Sequence, residues 1–169
     1  MLNSIAILGR PNVGKSSLFN KLTKSRNAIV SDFSGLTKDR NFGYATFKDH
    51  QYLVIDTGGV GSEITEFSAA ITEQALIAAE DSNLILFLID ASQELTADDI
   101  DLFQSIRKMN KKFFVVLNKI DIKNRSNAKE DLLKLGCGDV LEISAEHSQG
   151  IKELQTYISK QFIEPNSRD

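Results

Sequence analysis

The chain has almost no sulfur chemistry available to it. Cys137 is the only cysteine, so an intrachain disulfide is excluded and a reducing compartment is the simpler expectation. It stands between two glycines with no basic neighbour to activate its thiol. No apolar run nears the roughly 18 residues of a membrane-spanning helix; the longest is Leu84 to Ile89. The amino terminus lacks a basic region followed by a long apolar stretch, which argues against a secretory signal. Charge of one sign is also missing: 20 Lys and Arg oppose 23 Asp and Glu for a net charge of −3. Nothing in that balance draws the chain towards nucleic acid or an anionic membrane. No segment repeats, and neither His50 nor His147 is spaced with partners like a metal ligand, so both read as structural or solvated. What remains is 169 residues, 41% hydrophobic, expected to form one cytoplasmic domain and long enough to bury roughly two thirds of its unfolded surface.

Hydrophobic patterning divides the chain into alternating elements. Ile5-Ala6-Ile7-Leu8 reads as a buried strand, and Leu18, Phe19 and Leu22 suit a helix after it. Residues 25–40 are polar and irregular, a length of loop that in a compact domain is usually functional. Phe42 to Phe47 and Gln51 to Asp56 read as antiparallel strands joined by the turn Lys48-Asp49-His50. From Gly61 a loop passes into a helix ending near Asp81, with Phe67, Ile71, Ala75, Ala78 and Ala79 on one face. Leu84 to Ile89 and Phe113 to Leu117 are buried strands. Between them Thr96 and Asp99 form a capping-box pattern that opens a helix carrying Ile100, Phe103 and Ile106. A helix over about Asn127 to Leu135 closes at Gly136 as a left-handed cap. Val140 to Ile143 is the last strand, and Ile151, Leu154, Ile158 and Phe162 stripe a helix from about Gly150 to Ile163. Strands alternating with helices imply a mainly parallel sheet covered on both faces, with ligands at the carboxyl ends of its strands. The domain is expected to span residues 1–163, with 164–169 a polar tail.

Four turns at such strand ends carry chemistry. Gly9-Arg10-Pro11-Asn12-Val13-Gly14-Lys15-Ser16 lies between a strand and a helix, the context of a phosphate-binding loop. Gly14 lets the backbone approach a phosphate, successive amides through Ser17 form an anion nest, and the helix dipole adds to the field. Lys15 can reach the β- and γ-phosphates and Ser16 can ligate Mg²⁺. Asp56-Thr57-Gly58-Gly59 supplies a carboxylate to hold Mg²⁺ through water and, at Gly59, an N–H for the γ-phosphate. Asn118-Lys119-Ile120-Asp121 selects a base: the Asp121 carboxylate can accept from guanine N1–H and the exocyclic amine, a donor pair adenine lacks. Sites built on such bonds reject the wrong analogue by about 10⁴-fold or more. Lys119 can lay its stem over the purine, Asn118 can brace the phosphate loop, and the Ala145 N–H of Ser144-Ala145-Glu146 would meet guanine O6. Thr37, between the first two motifs, is the candidate for closing the site, its hydroxyl on Mg²⁺ and its N–H on the γ-phosphate. Loss of that phosphate would release the loop. A polar water-orienting residue is absent after Asp56-x-x-Gly59, where Val60 stands; Glu63 and Glu66 are candidates for that role.

Taken together these motifs, with Thr37-Lys38-Asp39-Arg40 and Ser144-Ala145-Glu146-His147, resemble the EngA/Der family in the Era-like branch of translation-factor-related GTPases. The Asp56-Thr57-Gly58-Gly59 form is similar to the first of that family's two G domains. Ser34 departs from the family pattern, which carries proline there. The resemblance covers nearly the whole chain and implies a three-layer P-loop GTPase fold: a mostly parallel six-stranded sheet with one antiparallel edge strand. It implies GTP as substrate, GDP as product, Mg²⁺ as cofactor and slow turnover in isolation. A guanine-nucleotide-sensing module with negligible turnover is the alternative, and an ATPase or kinase is disfavoured by Asp121. Asn12 resembles the phosphate-loop asparagine of potassium-activated relatives, which makes K⁺ a further candidate. The family also implies a bacterial cytoplasmic protein with a second G domain and a KH-like domain, acting in assembly of the large ribosomal subunit. Residues 164–169 would then begin an interdomain linker.

Overall fold

The computed structural model describes residues 2–23, 41–58, 69–122 and 126–162. Its elements run β1 (Asn3–Leu8), α1 (Lys15–Thr23), β2 (Asn41–Phe47), β3 (His50–Asp56), α2 (Ala69–Glu80), β4 (Leu84–Asp90), α3 (Ala97–Lys108), β5 (Phe113–Asn118), α4 (Ala128–Lys134), β6 (Val140–Glu142) and α5 (Ile151–Gln161). The strands form one six-stranded sheet in the order β2-β3-β1-β4-β5-β6. Among the described strands only the β2–β3 pair is antiparallel, with β2 at the edge. The parallel strands β3, β1, β4, β5 and β6 therefore end on one side of the sheet, and the four motifs lie there.

Every residue of β4 is buried, as a central parallel strand covered on both faces requires. Side chains alternate across the sheet with period two. Ile5, Ile7, Leu86, Leu88 and Val116 pack on one face with Leu18 and Phe19 of α1 and Leu154 and Ile158 of α5. Ala6, Leu8, Phe87, Val115 and Leu117 pack on the other with Ala79 of α2, Phe103 and Ile106 of α3 and Leu132 of α4. At about 1.5–3 kcal/mol for each large apolar side chain buried, these two layers hold the sheet that positions the strand ends.

Three local outcomes refine the sequence reading. The β2–β3 turn has two residues rather than three: Lys48 and Asp49 carry φ of 52° and 65°, and His50 already pairs with Phe47, the positive-φ pattern of a tight hairpin turn. The capping box on α3 is present, Thr96 accepting from Asp99 N–H and the Asp99 carboxylate accepting from Thr96 N–H. Its buried stripe, however, runs Asp99, Leu102, Phe103, Ile106; Ile100 is half exposed, because a helical period starting at 99 continues at 102, 103 and 106. The left-handed cap after α4 is Gly136, φ 79°. Its N–H donates to Leu133 O at 3.1 Å and that of Cys137 to Leu132 O at 3.3 Å, the bond pair of a Schellman stop. Phe67, Ile163 and the tail lie outside the described residues.

Candidate functional site

The glycine loop leaves β1 at Gly9, where an added Cβ would lie 2.7 Å from Leu88 O and 2.8 Å from a Val13 methyl. Gly14 has φ +104°, and a Cβ there would lie 2.1 Å from Asn118 Nδ2; only glycine satisfies both demands. The Lys15 ammonium turns back into the loop and donates to Gly9 O at 2.7 Å and Arg10 O at 2.9 Å. Burial lowers its pKa from 10.5 to about 8, with Asp56 opposing the shift and Arg10 adding to it. A cation desolvated against two carbonyls is poised to exchange them for an anion.

Beside it, the Ser16 hydroxyl donates to Asp56 Oδ2 at 3.2 Å, and Asp56 Oδ1 accepts from Gly58 N–H at 3.0 Å. Thr57 is turned inward, its hydroxyl on Ile7 O at 2.7 Å, which ties the end of β3 to β1. A hydroxyl and a carboxylate oxygen side by side are hard donors of the kind Mg²⁺ takes. Among the described residues no group of three or more His, Cys, Asp or Glu could hold a metal by itself.

Asn118, buried at the end of β5, joins three segments. Its Nδ2 donates to Val13 O at 2.9 Å and its Oδ1 accepts from Ala145 N–H at 2.9 Å. The expected brace on the phosphate loop is there. The Ala145 N–H, expected to face guanine O6, donates to the Asn118 side-chain carbonyl in the free chain, which satisfies a buried amide. Lys119 takes φ 67°, which turns its ammonium onto Asn12 O at 2.8 Å and Asp90 Oδ2 at 3.0 Å. Asp121 sits on the exposed rim, 3.3 Å from His147 Nε2. The nearby Ser144 hydroxyl is the largest influence holding the Asp121 carboxyl below its ordinary range, with desolvation opposing and the Asp121 backbone and His147 helping. Paired backbone bonds between Ser144 and Gln149, 2.9 Å each, close the turn that carries Ala145, Glu146 and His147.

Of the residues read as candidates, Gly9 to Ser17, Asp56 to Gly58, Asn118, Lys119, Asp121 and Ser144 to Glu146 converge on the carboxyl ends of the strands. Arg10 does so by its backbone only: its guanidinium Nε donates to buried Asp99 Oδ1 at 2.6 Å, so the side chain is committed away from a phosphate. Thr37, Gly59, Val60, Glu63 and Glu66 lie outside the described residues. His50 packs edge-on against Tyr52, and burial pushes the Cys137 thiol up. Three residues take part in ways that the sequence reading did not assign to them. Asp90 closes the apolar β4 as Asp56 closes β3; burial pushes its carboxyl up, but the Ser92 hydroxyl and Lys119 outweigh that and hold it below its ordinary value. Asp99 was legible as a cap but not as the partner of Arg10, and His147 engages Asp121.

Comparison with known proteins gives the same picture. Residues 4–119 match the family described as 50S ribosome-binding GTPase. GTPase Der of Pseudoalteromonas atlantica is 43% identical over 166 residues, covering 96% of this chain and 34% of that protein. GTPase Der of Legionella pneumophila is 43% identical over 163 residues, covering 96% and 35%. The chain thus spans about a third of the length of the curated relatives it matches. Among solved structures, Aquifex aeolicus Era bound to GDP and AlF4⁻ superposes with a TM-score of 0.75 at 30% identity, covering 98% of this chain and 58% of that one. The G domain of the FeoB iron transporter of T. maritima gives 0.69 at 28%, covering 95% and 98%.

Proposed function

The chain belongs to the 50S ribosome-binding GTPase family, and on that premise we propose that its strand-end loops form one guanine-nucleotide site that binds and hydrolyses GTP. The observation that carries this reading is the Asn118 clamp, whose amide holds Val13 O of the phosphate loop and Ala145 N–H of the base loop, each at 2.9 Å. Two loops pinned by one side chain keep a fixed spacing, which is what a ligand with an anionic tail and a planar base requires.

In this reading the amides from Gly9 to Ser17 cradle the phosphates, and Lys15 leaves the Gly9 and Arg10 carbonyls for the β- and γ-phosphates. Ser16 and Thr37 ligate Mg²⁺ and Asp56 holds it through water. The ion, when bound, neutralises charge that develops on the transferring phosphoryl group. Gly59 N–H meets the γ-phosphate, and with Thr37 makes the site sensitive to whether that phosphate is present. Asp121 reads guanine once His147 yields its oxygen, the Lys119 stem covers the purine and Glu146 borders it. The amide of Ala145 reaches guanine O6 only by sharing with Asn118. Asn12, with φ 69° in the loop, is the candidate to admit K⁺ beside the phosphates. In a longer protein like the GTPase Der relatives, this domain would act as the nucleotide switch, with a second G domain, a KH-like domain and the large ribosomal subunit as its partners. No helix among the described residues is long and apolar enough to cross a membrane; the bacterial cytoplasmic setting rests on the likeness to GTPase Der.

Val60, where a water-orienting glutamine would stand, favours one alternative: a nucleotide sensor with negligible turnover of its own. Single-turnover hydrolysis of GTP with Mg²⁺, in KCl and in NaCl at equal ionic strength, separates the two. Slow release of phosphate, faster in KCl, is expected. Equal rates would remove the potassium role, and tight GTP binding without phosphate release would leave the sensor.

A further inference from the structure

We propose that Asp99 is a positioning residue for the phosphate loop, acting through Arg10. The inference rests on the nucleotide reading of the site and extends it to a helix that touches no part of the ligand. Arg10 Nε donates to Asp99 Oδ1 at 2.6 Å, across 89 positions of sequence, and the two side chains are 16% and 1% exposed. The other carboxylate oxygen accepts from Thr96 N–H at 3.0 Å, so the capping box of α3 fixes the plane of the group that holds the arginine. Arg10 in turn contributes one of the two carbonyls that seat the Lys15 ammonium. The chain of contact runs from the α3 cap to Asp99, to the Arg10 side chain, to the Arg10 backbone and to Lys15.

A buried ion pair is weak evidence for stability, since replacement by a neutral pair is often harmless, whereas deleting one partner strands a buried charge. Its geometry carries the argument. Arg10 would be free to point into solvent, as loop arginines do, yet it is drawn inward and its backbone is held where two successive carbonyls converge on one ammonium. The guanidinium forms a planar fork with fixed donor directions, so the pair orients the loop as well as attracting it. In the grip of a nucleotide, α3 and the first turn of the phosphate loop move as one unit.

The test is titration of fluorescent GDP into the wild type, Asp99→Asn, Arg10→Gln, the double variant and Thr96→Ala, with urea unfolding alongside. Asp99→Asn keeps an oxygen for the Thr96 N–H but removes the counter-charge of Arg10. Its affinity is expected to fall roughly 3- to 30-fold, the range for residues that act on a site without touching the ligand. The double variant is expected to lose no more than Arg10→Gln alone, because both changes break one path. Thr96→Ala removes the hydroxyl half of the capping box but keeps the backbone N–H at position 96 on Asp99 Oδ2, so it should lower the unfolding midpoint while weakening GDP less than Asp99→Asn does. Should Asp99→Asn not fold, the double variant, with two neutral amides facing each other, carries the same expected loss. Failure of the wild type to bind GDP would overturn the nucleotide reading and this inference with it. Wild-type binding with unchanged affinity in Asp99→Asn and in the double variant, or additive losses in the cycle, would overturn this inference alone.

Discussion

Lys15 is held against two backbone carbonyls, and its titration would report their replacement by a phosphate. In the free protein burial lowers its pKa to about 8 from 10.5. Between those values the unfolded chain binds a proton here that the folded chain does not, so this group adds stability as pH rises through the window. A polyphosphate beside the ammonium favours the charged form instead. Nucleotide binding at about pH 9 should therefore take up a proton, and affinity should fall as pH climbs past 8. Calorimetry in two buffers of different ionisation enthalpy checks this: an uptake present in the wild type and lost in Lys15→Met is expected. Much at this scale was legible in the sequence. Lys15, Ser16, Asp56, Asn118 and Asp121 could be read as candidates because each lies in a contiguous motif, and the fold brings them to the same strand ends. Arg10–Asp99 and Lys119–Asp90 were not legible, since their partners lie 89 and 29 positions apart and meet only through the order of the sheet.

At the scale of elements, the glycines at turn exits sort by what their missing side chains would strike. Gly150 opens α5 with φ +78°, and a Cβ there would lie 2.5 Å from Glu142 O and 3.1 Å from an Ile143 methyl. Gly138 has the same φ with nothing within 4 Å. Gly138→Ala should cost only the left-handed backbone penalty, about 1–2 kcal/mol. Gly150→Ala adds a backbone clash and should cost clearly more in urea unfolding, while also disturbing the 144–149 turn behind Asp121; equal losses would contradict the packing. The sequence showed where elements begin and end, because buried parallel strands read as unbroken apolar runs and caps carry their own residues. It misjudged finer choices such as Leu102 over Ile100, which depend on the rotation of α3 against β4 and β5. The bond from the Ala145 N–H to Asn118 was not legible either, because it is set by where Asn118 comes to rest.

For the whole molecule, the topology does the assembling. Five strands running the same way deliver the glycine loop, Asp56, Asp90, Asn118 and the Ser144 turn to one edge, and side chains then lace those segments together before any ligand arrives. The laced site predicts that phosphate grip and base reading are separable chemistries on one rigid frame. Calorimetric binding of GDP and ADP to the wild type and to Asp121→Ala tests that claim most directly. Losing two charge-assisted hydrogen bonds at about 1.5–3 kcal/mol each should weaken GDP by at least ~100-fold and leave the already weak ADP binding unchanged. GDP binding with equal affinity to both proteins, or ADP binding more tightly than GDP to the wild type, would contradict it.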